Sequence, residues 1–200
     1  MIILSYKKQG KKMNLKKIVL GSTLLASALF AGTYNVDASH SNVGFKIKHM
    51  MISNVVGKFD TFKGTFEYDE KKNTLTSLTG YIDVASVNTE NTKRDNHLRA
   101  DDMFDAKKYP KIDFVVTKID GEDVYGDFTL RGITKKIKLE LENGGTIKDP
   151  WGNYRAGFAL TGKIKRSDFG LTYNDVLEAG GVALGDVVKL NVELEGIKAK

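Results

Sequence analysis

From Thr33 onward, apolar and polar positions alternate with a period of two, broken by Gly, Asn and Asp turns, the signature of half-buried β-strands. Val43, Phe45 and Ile47 fall on one face of the first long run, and His49 keeps their parity. Phe62, Phe66 and Tyr68 share the next face with Gly64 between them, followed by Leu78, Ile82 and Val84, then Ile112, Phe114 and Val116. Val124, Phe128 and Leu130 come next, then Ile137, Leu139 and Leu141, then Phe158, Leu160 and Ile164, and last Val188, Leu190, Val192 and Leu194. The pattern predicts about eight strands in one all-β domain with no internal repeat or linker. Strand number and length favour an eight-stranded antiparallel barrel over a sandwich. Gly57, Gly64, Gly80, Gly126, Gly157 and Gly162 sit inside strand patterns, which points to bulges, sharp coiling or space on the inner face. A barrel of that size is just wide enough to be filled by side chains or to hold one slender ligand, and periodicity leaves both open.

One stretch breaks the alternation. Thr92 to Pro110 gathers Arg94, Asp95, Asn96, His97, Arg99, Asp101, Asp102 and Asp105 around Leu98, Met103 and Phe104. The composition predicts a short helical insertion between the third and fourth strands, capped by Asn91 or Thr92 and ended by Pro110. Asp95 and Arg99 stand four apart with the acid first, the favourable order for a helical ion pair. A polar helix among alternating strands suggests a lid or plug on the barrel. Its polar groups are placed to meet a ligand's head.

The formal charge of +6 invites a nucleic-acid reading. Six lysines (Lys7, Lys8, Lys11, Lys12, Lys16 and Lys17) lie in residues 1–31, which contain no acid, so the remaining 25 basic residues balance 25 acidic ones. That balance predicts no basic face for phosphate neutralisation. Residues 1–31 instead read as a secretory signal peptide, with Lys16 and Lys17 before an apolar run from Ile18 to Phe30 and cleavage after Ala28 or Ala31. Met13 is the expected start. A retained anchor is the alternative, but Ile18–Phe30 is short against the roughly 20 residues needed to span a bilayer. The expected protein is therefore an exported, periplasmic domain over residues 32–200. With no cysteine, disulfides, thiolate catalysis, thiolate metal ligation and a lipid-modified cysteine are excluded.

Little else suggests chemistry. The three histidines, His40, His49 and His97, show no metal-ligand spacing, and no metal or cofactor is expected. His40-Ser41 lacks an elbow motif and a nearby acid, and a hydrogen bond pinning the first strand is the simpler role. Arg166 and Asp168, at the end of a long strand, are the right types for a buried ion pair bracing the barrel end.

At these residues the chain resembles the YceI-like family of exported polyisoprenoid-binding proteins, over Tyr34 to Glu195. The resemblance rests on Tyr34-Asn35-Val36-Asp37 with His40-Ser41, Phe45 to His49, Val56-Gly57 with Phe59, and Ser86 to Thr89. Its most specific part is Arg94-Asp95-Asn96-His97-Leu98 running on to Phe104-Asp105 and Tyr109-Pro110. Gly126 to Lys135, Arg166 to Gly170 and Gly185 to Val188 complete it. The resemblance implies a lipocalin-like barrel enclosing a long apolar tunnel. A polyprenyl chain, such as the tail of an isoprenoid quinone or a polyprenyl lipid, would lie in it for carriage, storage or sequestration, without catalysis.

On that reading Val43, Phe45, Ile47, His49, Phe66, Phe114, Phe128, Phe158 and Leu160 would line the tail. Arg94, Asp95 and His97, with Leu98 and Phe104, would sit at the mouth. A homodimer is implied by the resemblance, but the sequence shows no dimer face. Two alternatives stand beside it: an enzyme acting on an isoprenoid or small lipid with His97 and Asp95 as base and orienter, and a filled barrel that binds envelope partners.

Overall fold

The computed structural model describes residues 31–176 and 180–200. The expected leader lies outside them, apart from Ala31. Eleven strands and one α-helix are present among them: β1 (Ala31–Val36), β2 (Asn42–His49), β3 (Ser53–Phe59), β4 (Phe62–Asp69), β5 (Thr74–Asp83), β6 (Val87–Asn88), α1 (Thr92–Leu98), β7 (Lys111–Asp120), β8 (Asp123–Leu130), β9 (Ile133–Lys148), β10 (Tyr154–Lys165) and β11 (Leu184–Lys198).

All pairings are antiparallel, and the order β1-β4-β5-β7-β8-β9-β10-β11 closes when β11 returns to β1. The circuit contains eight strands, as the alternation predicts, and closure leaves that circuit no free edge. β11 is long enough to serve two partners. Its last residues pair with β1 and its first half pairs with β2, so β1 and β2 behave as one strand bent at residues 37–41. At that bend Asp37 accepts the Ser39 amide, and the Ser41 hydroxyl donates to the Glu195 carbonyl while accepting the Glu195 amide. His40 bonds Asp37 at 3.0 Å, the pinning role expected of it, so contrary to the sequence reading an acid does stand beside it. β3 and β4 bend in the same way around residues 60–61 and carry the sheet on to β6.

The interior is graded along the axis. Toward the β9–β10 hairpin it is solid: Tyr34 stacks on Phe66 with ring centroids 5.2 Å apart, and Phe158 meets Phe66 edge-on at 4.9 Å. Several strand glycines do not leave space but seat rings. A Cβ on Gly126 would lie 2.4 Å from the Phe114 ring, and one on Gly57 would lie 2.4 Å from the Phe45 ring. The same packing occurs at the solid end, where a Cβ on Gly196 would lie 2.4 Å from the Phe66 ring.

The insertion is shorter as a helix than expected. α1 ends at Leu98, and residues 99–109 follow as consecutive turns. Asn91 is its cap, accepting the Arg94 amide at 3.0 Å. The Asp95–Arg99 pair does not form, because both partners find stronger ties off the helix. Asp95 is buried and accepts from the Thr89 amide at 2.9 Å and the Thr89 hydroxyl at 2.5 Å. Arg99 donates to the Ala85 and Val87 carbonyls. Arg131, from the β8–β9 turn, holds the Met103 carbonyl and so pins the turn segment to the barrel.

A candidate ligand cavity beneath the helical plug

α1 and its turns lie over the barrel end that carries the β2–β3 turn. Beneath them is a cavity of about 340 Å³. Phe45 and Ile47 of β2, Leu98, Met103 and Phe104 of the plug, Phe128 and Leu130 of β8, and Val188 and Leu190 of β11 form its apolar wall. Its polar atoms gather at one end, from His49, Arg94, His97, Arg166, Tyr173 and Asp175. Met50, His97, Tyr173 and Asp175 are exposed, so this polar end opens to solvent. A second, almost purely apolar cavity of about 90 Å³ lies deeper, lined by Val43, Phe62, Phe114, Leu160 and Val192 among others. Phe128 and Leu190 border both and stand between them. The resemblance implies one long tunnel; the structure divides it into two chambers at these side chains.

The expected site residues therefore separate. Phe45, Ile47, His49, Arg94, His97, Leu98, Phe104 and Phe128 line the larger cavity, and Val43, Phe114, Phe128 and Leu160 the smaller. Phe66 and Phe158 line neither, since they fill the solid end of the barrel. Asp95 also lines neither. Its carboxylate is committed to Thr89, whose hydroxyl and carbonyl in turn accept from Arg94 at 2.7 and 2.8 Å. The histidine partner at the rim is Asp102, 2.9 Å from His97 Nε2, and the His97 ring meets Tyr173 edge-on. Alternation could not distinguish Asp95 from Asp102, because residues 99–109 turn back on the helix.

Arg166 is the largest departure from expectation. It is 6% exposed and makes no pair with Asp168, which is exposed. Its Nε donates to the Gly185 carbonyl at 3.0 Å, and Nη1 to the carbonyls of Leu171 and Tyr173 at 2.7 and 2.8 Å. Burial pushes this guanidinium down from its ordinary pKa, opposed by the nearby Asp186 carboxylate. Arg166 thus fixes residues 171–173, one wall of the opening, while lining the cavity itself. Met103, Leu130, Ile164 and Leu171 also belong to the wall, and their inward strand parity or neighbouring apolar run was the only sequence signal for them.

The three histidines are not brought together: His40 sits at the β1–β2 bend, whereas His49 and His97 border the cavity. Among the described residues, Asp37, His40 and Glu195 have donor atoms close enough for a metal ion. Arg155 already contacts Asp37 at 2.9 Å and Glu195 at 2.5 Å, so a guanidinium occupies the position a cation would need.

No helix among the described residues is long and apolar enough to cross a membrane. The sequence profile of the YceI-like domain matches residues 34–196. A UPF0312 protein of Photorhabdus laumondii is 42% identical over 166 residues, covering 78% of this chain and 86% of that protein. The crystal structure of a Campylobacter jejuni YceI protein superposes with a TM-score of 0.66 at 42% identity, covering 82% of this chain and 96% of that one. A polyisoprenoid binding domain from Saccharophagus degradans shares the fold at 20% identity, with a TM-score of 0.62 over 83% of this chain and 98% of that one. With the profile spanning nearly the whole barrel, the chain belongs to the YceI-like family.

Proposed function

We propose that the protein binds a long-chain isoprenoid lipid, an isoprenoid quinone or polyprenyl lipid, and carries, stores or sequesters it in the periplasm after export. The observation that supports this most directly is the larger cavity: an apolar chamber in a closed barrel, open at one end to a ring of polar groups. The polyisoprenoid binding domain from Saccharophagus degradans shares that barrel. The tail lies against Phe45, Ile47, Leu98, Phe104 and Phe128, and its burial drives binding at ~25 cal/mol per Å² before entropy losses. The head stays at the opening near Arg94, His97 and Arg166. A tail too long for the larger chamber reaches the deeper one when Phe128 and Leu190 change rotamer.

This is a binding role and not an enzymatic one. The test is mass spectrometry of the gently purified protein, native and after organic extraction. A stoichiometric polyprenyl species released only on denaturation is the expected result, and it is lost in Ile47→Asp, a half-buried cavity position. Protein that carries no lipid and takes up no added quinone refutes the reading. His97 and Asp102 have the geometry of a base and its orienter. Turnover of an isoprenoid that vanishes in His97→Ala while binding persists would establish catalysis instead.

A further inference from the structure

The outer face of the barrel beside the cavity opening carries a row of lysines. Register places Lys163 of β10 directly opposite Lys189 of β11, and Lys189 directly opposite Lys46 of β2. All three are exposed, and like charges directly across a ladder destabilise a sheet. Among the described residues none of the three makes an ion pair or side-chain hydrogen bond, while neighbouring Lys58 is held by Asp60 at 3.2 Å. The row lines an outer groove of about 680 Å³, whose acidic members are Glu90 and Glu140. The neutrality expected from composition is therefore not uniform: the fold collects lysines on one face.

Next to that face, the β2–β3 turn presents three consecutive apolar residues where turns ordinarily carry Gly, Asn, Asp or Ser. Met50, Met51 and Ile52 are 45%, 57% and 84% exposed, and both methionines have positive φ. The turn is fixed, since the Met50 amide donates to the Ala183 carbonyl at 2.7 Å. Met50 also lines the cavity, so the apolar tip is continuous with the opening. Of the acids on this side, Asp186 accepts from the Ser167 amide and hydroxyl, Asp102 contacts His97, and Asp168 and Asp175 are exposed.

We propose that this end of the barrel docks on an anionic phospholipid bilayer. The Met50–Ile52 tip enters the headgroup layer, and the Lys46–Lys189–Lys163 row rests against lipid phosphates. An apolar tip flanked by unpaired lysines is what an interfacial anchor needs. The inference rests on the proposed lipid binding for its purpose: docking brings the cavity opening against the membrane, so a prenyl tail passes between bilayer and barrel without crossing water.

The barrel closes within residues 31–200, so the test uses that segment, free of the lysine-rich leader. Co-sedimentation is measured with phosphatidylcholine vesicles, with and without phosphatidylglycerol. Binding is expected only with phosphatidylglycerol and should weaken as salt rises. Each lysine near an anionic surface contributes about fivefold to partitioning, so the triple variant K46Q/K163Q/K189Q should bind about a hundredfold more weakly. Met51→Asp with Ile52→Asp should abolish binding without changing the melting temperature. No sedimentation with either vesicle, equal sedimentation with both, unaltered binding by folded variants, or tighter binding to DNA than to vesicles overturns the proposal. Uptake of an apolar fluorescent probe is followed in the same samples. In the unsubstituted protein, docking without uptake counts against the lipid-binding reading alone, and uptake without docking counts against this one alone; in the variants, docking should be lost while uptake persists.

Discussion

Gly126→Ala tests the seating of the Phe114 ring beside the deeper chamber. Gly126 has no positive φ, so alanine is not strained by backbone conformation there. In the unfolded chain alanine has less freedom than glycine, which by itself favours the variant by ~0.4–1 kcal/mol. The native state opposes this. The new methyl group would lie 2.4 and 2.5 Å from two atoms of the Phe114 ring and 2.8 Å from the Val115 carbonyl oxygen. The ring must swing by about 1 Å to restore ordinary contact, and the carbonyl can yield only with its strand. Overpacking of this kind costs about 1–3 kcal/mol, so net destabilisation is expected in urea unfolding. In the Phe114→Ala background the ring clash disappears and only the carbonyl contact remains. The same glycine substitution should then cost at least about 1 kcal/mol less, a coupling that a double-mutant cycle reads directly. Phe114 borders the deeper chamber, so the displaced ring should also reduce the capacity for a long-tailed probe while sparing a short one. Equal costs in both backgrounds, or a more stable Gly126→Ala, would refute the idea that glycine is required to seat the ring.

Three further outcomes are expected. Arg166→Met deprives three carbonyls of a charged donor and should cost at least about 3 kcal/mol, with faster amide exchange in residues 171–173; a loss below about 1 kcal/mol would contradict the bracing role. Asp95→Ala leaves the Thr89 amide and hydroxyl without an acceptor and should destabilise by about 2–4 kcal/mol, whereas Asp95→Asn, which keeps Oδ1, should lose clearly less; equal losses would show that charge and not the acceptor matters. Hydrogen bonds from Ser39, His40 and Arg155 hold the Asp37 carboxyl well below its usual range, and Arg155 and Asn153 do the same for Asp149. Because these folded-state values are depressed, their stabilisation is present above about pH 4, the unfolded value, and is lost as pH falls through the folded ones. Thermal melts from pH 7 downward should therefore decline below about pH 4, and less steeply in Arg155→Met.

The sequence by itself determined the all-β class, the eight strands of the closed circuit, the position of the polar insertion and which side chains point inward. Alternation is a local property, and a period of two fixes the face of each residue without reference to its neighbours. It could not say how far along the barrel axis an inward residue falls. Phe45 and Phe66 have the same parity, yet one borders the cavity and the other fills the solid end, because the strand bends at residues 37–41 and 60–61 set their heights. The same limit hid the partners of Arg166, which are backbone carbonyls from a segment that follows it and from the start of β11. It also hid the replacement of Asp95 by Asp102 beside His97, which depends on how residues 99–109 fold back. The lysine row is the clearest case. Lys46, Lys163 and Lys189 are separated in a chain whose charges balance beyond the leader, and only the register of β2 and β10 against β11 lays them side by side. Face is written in the local pattern; axial position, partners and surface charge come from long-range pairing, which a single sequence encodes only through the folded whole.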